Sequence, residues 1–533
     1  MPPSSDDPRD LPLAPREWLF LGLAIVFWSA FVVYLGKDTS WDFRNYHWYI
    51  PYAFLHHRLA FDVVVAHQAS YYNPLIDIPF YELATHTPVW FALAALGAVQ
   101  GANVVPLYLI ARQSLRIDEH HLGAAALALL GQTGGLTLGL LGSHYYDNVM
   151  SLFILGGLAI LIVKMRTLRE GPLLHVALWT ALAGFIVGMA PGLKLPEAPF
   201  AVGFGVALLF IGGDWKRQAT RLAAGAIAGL AGFALFSAYW MLKMQHLTGN
   251  PLFPYFNQYF HSSLALPRAY RDLRFVPTHF WREVFFPYLF TEDWSVADDL
   301  PFRDIRVMLA YTGVIVATLL AIFRRRSKDP LFAPGAVWVL FAFAAVSYFI
   351  WLKIFAIYRY ITLLEMLAPI LIAAAVGLLP LPRRAQLLTL AATFFVALLL
   401  TRPDFLDRAP LEEPYVGVAL PKLAHPAHSM VLMTGNSPMG FIVPEMPPQI
   451  PVLRIDGWMV QPKDGTRLTA DMRARVSAFK GDLYLMADSF DMTRAHDAVA
   501  DYDLMIDWPK CTLFDTNLAG EYELCPLTRK PGP

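Results

Sequence analysis

Residues 17–36 read EWLFLGLAIVFWSAFVVYLG, and Lys37-Asp38-Thr39-Ser40-Trp41-Asp42 follows at once. A helix needs roughly 20 apolar residues to cross the hydrocarbon core of a bilayer, and this run supplies them. No small-residue cleavage pattern follows, so the run predicts a retained membrane helix rather than a cleaved leader. Similar runs recur at 88–111, 121–141, 148–164, 173–190, 196–213, 219–242, 304–323, 332–351, 358–379 and 385–401, about eleven spans in all. Gly and Pro interrupt the fourth to sixth, which predicts helices that end inside protein rather than in lipid.

Composition agrees. Of 533 residues, 56% are hydrophobic and 16% are charged, against ~25% charged in an ordinary soluble domain. Lys+Arg and Asp+Glu are 42 each, so the chain lacks the basic excess a nucleic-acid binder needs to neutralise phosphates. Two cysteines build neither a disulfide scaffold nor a Cys-rich zinc module. The charges are uneven: residues 402–533 hold 13 basic and 18 acidic side chains, which leaves 53 for the first 401 residues. The expected fold is an α-helical polytopic membrane protein with a small C-terminal α/β domain outside the cytoplasm.

Basic residues orient it. Arg9 and Arg16 precede the first span. Arg112 and Arg116 follow the second, Lys164, Arg166 and Arg169 the fourth, and Lys216, Arg217 and Arg221 the sixth. Arg324, Arg325, Arg326 and Lys328 follow the eighth, and Arg383 and Arg384 the tenth. Every second short loop is basic, so these loops are expected to face the cytoplasm. The resulting division is a cytoplasmic segment 1–16, a membrane module 17–401 with long outer loops 37–87 and 243–303, and a periplasmic domain 402–533. The implied location is a bacterial inner membrane. Aromatic-rich outer loops of this length point to chemistry or binding at the outer face.

The first outer loop places Asp42, Asn45, Tyr46 and Tyr49 at i, i+3, i+4 and i+7, one face of a helix. Trp41, Trp48 and Tyr52 would anchor that helix among headgroups. Further along the loop, Asp77 and Glu82 read as solvated charges rather than metal ligands with His67 or His86. The second outer loop, Gly142-Ser143-His144-Tyr145-Tyr146-Asp147-Asn148, puts Asp147 at the start of the fourth span. There it either caps the helix or meets Asp42 across the bundle. Two acids at one cleft could share a divalent cation such as Mg or Mn, or divide base and orienting roles. Lys194, in a turn between spans, and Arg359, at the outer start of the tenth, are cations among apolar helices. They either snorkel to headgroups or bind a lipid phosphate. Arg268, Arg271 and Arg274, spaced i, i+3, i+6, would present three guanidiniums from one helix.

These residues resemble the GT-C superfamily of integral-membrane glycosyltransferases. An acid just after the first span, in Trp41-Asp42, is its mark, as is a second acid opening a later span, in Tyr146-Asp147-Asn148. Arg359-Tyr360 at a late outer helix start is similar to the protein mannosyltransferase and aminoarabinose-transferase branch. The resemblance covers roughly 17–400. It departs in having one acid after the first span rather than an adjacent pair, and in lacking a basic residue before the prolines of 72–79. It implies a hexosyl- or pentosyltransferase that takes sugar from a polyprenyl-phosphate donor and passes it to an extracytoplasmic glycan, lipid or protein. Asp42 would be the base, Asp147 its catalytic partner, Lys194 and Arg359 the donor-phosphate ligands, and Asn45, Tyr46, Tyr49, His144 and Arg271 substrate contacts. Among competing readings, a lipid or polysaccharide transporter or flippase would call for mid-membrane charges and internal symmetry; the charges here cluster at one face and no repeat is visible.

In the tail, 429–434 and 483–487 read as buried strands, 467–479 and 492–501 as helices, and 502–506, 511–514 and 522–525 as short strands. Cys511 and Cys525 either pair in an oxidising compartment or stay as two core thiols.

Overall fold

The computed structural model describes residues 12–116, 121–325, 327 and 330–530. Residues 1–11 of the expected cytoplasmic segment, with Arg9, and the inner-loop cations Arg326 and Lys328 lie outside the described residues. Each predicted span carries a helix: α1 (Pro15–Leu35), α2 (Val89–Ser114), α3 (Leu122–Gly131), α4 (Asp147–Val163), α5 (Leu173–Leu193), α6 (Leu195–Ile211), α7 (Trp215–Thr248), α8 (Arg306–Ile322), α9 (Pro334–Ile354), α10 (Tyr358–Leu378) and α11 (Arg383–Leu400). Seven of these, α1, α2, α5, α7, α9, α10 and α11, are long and apolar enough to cross a membrane. The other four are apolar but only 10–17 residues long. By length and composition, then, seven crossings are supported where the sequence led us to expect about eleven.

Helix α3 shows how a predicted span is cut short. Its apolar run continues past Gly131, but Gly134 and Gly135 end the helix and start a separate turn, Gly135–Gly139. Free amides at that start are taken by carboxylates: Gly135 N–H donates to Asp304 (2.8 Å) and Thr137 N–H to Glu365 (2.8 Å). Both acids are buried.

Helix α10 is the centre of the bundle, with 94% of its most apolar window buried, against 22% for α1 and 17% each for α7 and α11. The peripheral helices leave leucines and aromatics exposed, as lipid-facing surfaces do. Helices α5 and α7 approach along a stripe of glycines. A Cβ on Gly188 would lie 2.0 Å from the carbonyl oxygen of Gly229, and one on Gly184 2.6 Å from that of Gly225. Backbones pack this closely only where side chains are absent.

The tail folds as a small mixed sheet with two helices. Its strands are β1 (Ser429–Met433), β2 (Val452–Arg454), β3 (Asp482–Asp488), β4 (Leu504–Ile506), β5 (Thr512–Asp515) and β6 (Glu521–Arg529). The order is β2-β1-β3-β6-β4, with β5 also paired to β6. Strand β1 is parallel to both β2 and β3, and β6 is antiparallel to β3, β4 and β5. Helices α12 (Arg467–Ala478) and α13 (Met492–Ala500) occupy the predicted positions. Cys511 and Cys525 form a disulfide between β5's start and β6. Strand β2 was not anticipated; three residues between prolines and a turn give too little pattern to read.

This domain is fastened to the first outer loop. Val63 adds to the edge of β2, giving its N–H to Val452 O and taking that of Arg454 (3.0 Å each). Arg58 forms a two-pronged bond to Asp62 (2.6 and 2.8 Å) and reaches Pro448 O and Ile450 O. Trp48 and Tyr52 are buried in this contact, Trp48 against Tyr81 and Tyr415, so they are packing residues and not the headgroup anchors expected.

Candidate functional site

Asp42 lies one short turn beyond α1. Its Oδ2 accepts the Tyr46 hydroxyl (2.8 Å) and Arg359 Nη1 (3.1 Å). Asp147 opens α4 after Tyr146, whose backbone is left-handed (φ 62°). The Asp147 carboxylate caps nothing; it is ion-paired with Lys194, at the end of α5. Lys194 also donates to Tyr145 O (2.8 Å). The two pairs are neighbours. Arg359 lies over the Tyr145 ring (4.6 Å) and both cations lie near the Tyr360 ring (5.2 Å each). The charges of Asp42, Asp147 and Arg359 act on one another. Four separate segments thus bring two acids and two cations to one place. Neither cation snorkels, since each is held by a carboxylate.

Of the other expected contacts, only Tyr46 joins them. Asn45 turns away to Ala66 O (3.3 Å) and Tyr49 donates to Asp62 (3.2 Å). The cause is local: residues 43–47 form a π-helical turn. Such a turn closes with i→i+5 bonds and holds more residues, so positions i+3 and i+7 fall off the face that i and i+4 share. His144 is fully buried between Phe43 and Phe80, its Nδ1 3.0 Å from Asp38, which makes it a core residue rather than a substrate contact. The expected arginine helix is absent: 261–279 is loop, because Asp272 bonds the Arg274 N–H and prolines flank the stretch. Arg274 pairs with Asp272 and Asp299 (2.7 Å each), and Arg268 bonds Trp458 O. Arg271 is half-buried there and makes no hydrogen bond or ion pair among the described residues.

Sequence reasoning missed several residues at the site. Asp298 is buried and accepts the Arg359 backbone N–H (2.7 Å) and that of Leu300 (3.1 Å). Burial lifts its carboxyl to about 6, with the charge and N–H of Arg359 opposing. Glu197, at the start of α6, is buried within electrostatic reach of Lys194 and Asp147. Tyr72 and Tyr255 share a 2.5 Å hydroxyl–hydroxyl bond, and the Tyr72 ring meets Tyr46 edge-on at 5.5 Å. Asp77 is not solvated as expected; it is buried against His47 (2.6 Å). Burial raises the Asp77 carboxyl well above its usual range and lowers the His47 imidazole well below its own.

Asp42 and Asp147 each already face a cationic side chain. Among the described residues, the one group of ligand-type side chains close enough to hold an ion is Cys511, Glu523 and Cys525, whose sulfurs are bonded to each other.

No family model, curated protein or solved structure matches this chain.

Proposed function

We propose that this chain is a membrane glycosyltransferase of GT-C type, moving sugar from a polyprenyl-phosphate donor to an extracytoplasmic acceptor. The supporting observation is the pairing of Asp42 with Arg359 beside Asp147 with Lys194, all at one end of the bundle. In this reading the four shorter apolar helices complete eleven crossings, the amino terminus is cytoplasmic, and the tail lies in the periplasm of a bacterial inner membrane.

The chemistry follows from the charges. An acceptor hydroxyl oxygen bonds to the anomeric carbon as the carbon–oxygen bond to phosphate breaks on the opposite side, which inverts that centre. The hydroxyl proton passes to the Asp42 carboxylate, oriented by Tyr46 and Arg359. The bonding electrons leave with the phosphate, whose charge Arg359 and Lys194 balance. Asp147 keeps Lys194 in place.

An apolar groove supports a lipid-linked donor. It runs between α8, α9 and α10, lined by Val307, Tyr311, Ile315, Tyr348, Leu352 and Leu371. Its rim carries the Lys353–Glu283 pair (2.6 Å). A polyprenyl chain would lie in such a groove.

The test is transfer from radiolabelled polyprenyl-phosphate sugars by purified protein. Asp42→Asn should lower the rate about 100-fold or more at normal protein levels, the usual scale for loss of a general base. Undiminished transfer would remove Asp42 as base.

A further inference from the structure

Trp458 sits in the turn after β2 and is 50% exposed, although it belongs to a charged, water-facing domain. Its indole is held in place from below. It stacks on Trp41 (centroids 4.8 Å, planes 25° apart) and on His67 (5.5 Å, 28°), while Trp41 and His67 are themselves nearly parallel (6.2 Å, 14°). The three distances close a triangle, so Trp458 overlaps both rings as an offset plate and is not the end of a column. His67 is buried and Trp41 half-buried, so Trp458 is the most exposed of the three rings. Arg268 is beside it, donating to the Trp458 backbone carbonyl (3.3 Å) while its guanidinium lies over the Tyr270 ring (4.8 Å). Asp456, two residues before Trp458, is bonded to Arg494 (2.6 Å).

This plate is joined to the site by two routes. Trp41 and Asp42 are consecutive on the same short helix, so one turns to the tail as the other turns to Arg359. The loop that supplies Arg268 continues to Asp272, on which the charge of Arg359 acts, and Arg274 of that loop pairs with Asp299, next to Asp298.

We infer that Trp458, backed by Trp41 and His67 and with Arg268 beside it, is a saccharide-binding platform that seats the acceptor, and hence that the acceptor is a glycan or glycolipid headgroup. A sugar ring has one apolar C–H face that packs on an indole and a rim of hydroxyls that bond guanidinium and carboxylate groups. A rigid exposed indole with an arginine beside it offers both. The assignment of this saccharide as acceptor rests on the transferase reading; the platform itself does not.

The experiment separates them. Full-length protein in nanodiscs is titrated with a mannohexaose, a maltohexaose and an arabinohexaose, and binding is read by saturation transfer to the sugar protons, because 14 tryptophans make intrinsic fluorescence unselective. At least one hexaose should bind. Trp458→Ala should weaken that binding about tenfold and Trp458→Phe about threefold or less. Absence of binding by all three sugars, or equal binding by Trp458→Ala, overturns the platform. Absence of sugar transfer by the unaltered protein from radiolabelled polyprenyl-phosphate sugars would defeat the transferase reading alone, leaving a saccharide site defined by Trp458.

Discussion

At the scale of single residues, the site depends on how charge is shared. Arg359 carries three loads: its guanidinium bonds Asp42, its face covers Tyr145, and its backbone N–H bonds Asp298. Asp298 lies in the outer loop before β-paired residues 302–303, with nothing in the local sequence to mark it. Its carboxyl, raised to about 6 by burial, titrates near neutrality. Above that pH it is ionised and balances Arg359; below it takes a proton and the balance is lost. Sugar transfer should therefore fall as pH drops through about 6, and Asp298→Asn should flatten that limb of the rate profile. An unchanged profile in the variant would place the titrating group elsewhere. Asp42, Asp147, Lys194 and Arg359 were all legible as oddities, acids and cations where apolar helices begin or end. Asp298, Tyr72 and Tyr255 were not, because an acid or a tyrosine in a polar aromatic loop is unremarked until the chain folds; Glu197, at the start of α6, carries the same signal as Asp147.

At the scale of elements, local backbone detail overrode simple periodicity. The spacing Asp42, Asn45, Tyr46, Tyr49 was read at 3.6 residues per turn, and the π turn at 43–47 moved two of the four away. The arginines at 268, 271 and 274 were read as helical, and Asx bonding by Asp272 made them a loop. The contact of α5 with α7 rests on Gly184 and Gly188 facing Gly225 and Gly229. Gly188→Val puts side-chain atoms where Gly229 O now lies, and the helices must part. The expected cost is about 1–3 kcal/mol or more, as for other overpacked interiors. Thermal unfolding of the detergent-solubilised variant would show it as a lowered midpoint, while Gly205→Val, where a Cβ has open space, should leave the midpoint unmoved.

At the scale of the whole molecule, the tail is part of the site's architecture. It extends its sheet with Val63, takes the Arg58–Asp62 pair into its edge, and presents Trp458 to Trp41. Residues on either side of Asp42 thereby contact either the tail or the bundle. Arg58→Ala leaves the Asp62 carboxylate buried without its partner, which typically costs about 3–5 kcal/mol. We expect protease cutting between 55 and 66 to increase sharply in that variant. Arg58→Ala combined with Asp62→Asn should recover part of the loss, since no buried charge then stands alone. Equal protease resistance in the single variant would show that the tail and loop are held by other contacts.

The sequence by itself determined that the chain is helical and apolar, where each apolar helix lies, that a small sheet follows at the C-terminus, and which charges are out of place at helix ends. Those properties are set by hydrophobic runs and by the cost of exposing charge to lipid, both of which are local. Tertiary structure alone decided which acid meets which cation, that Asn45, Tyr49 and His144 face elsewhere, and that Trp41 stacks on a residue 417 positions away. Such pairings arise when distant segments share one low-dielectric space, and a hydropathy pattern carries no record of which segments those are.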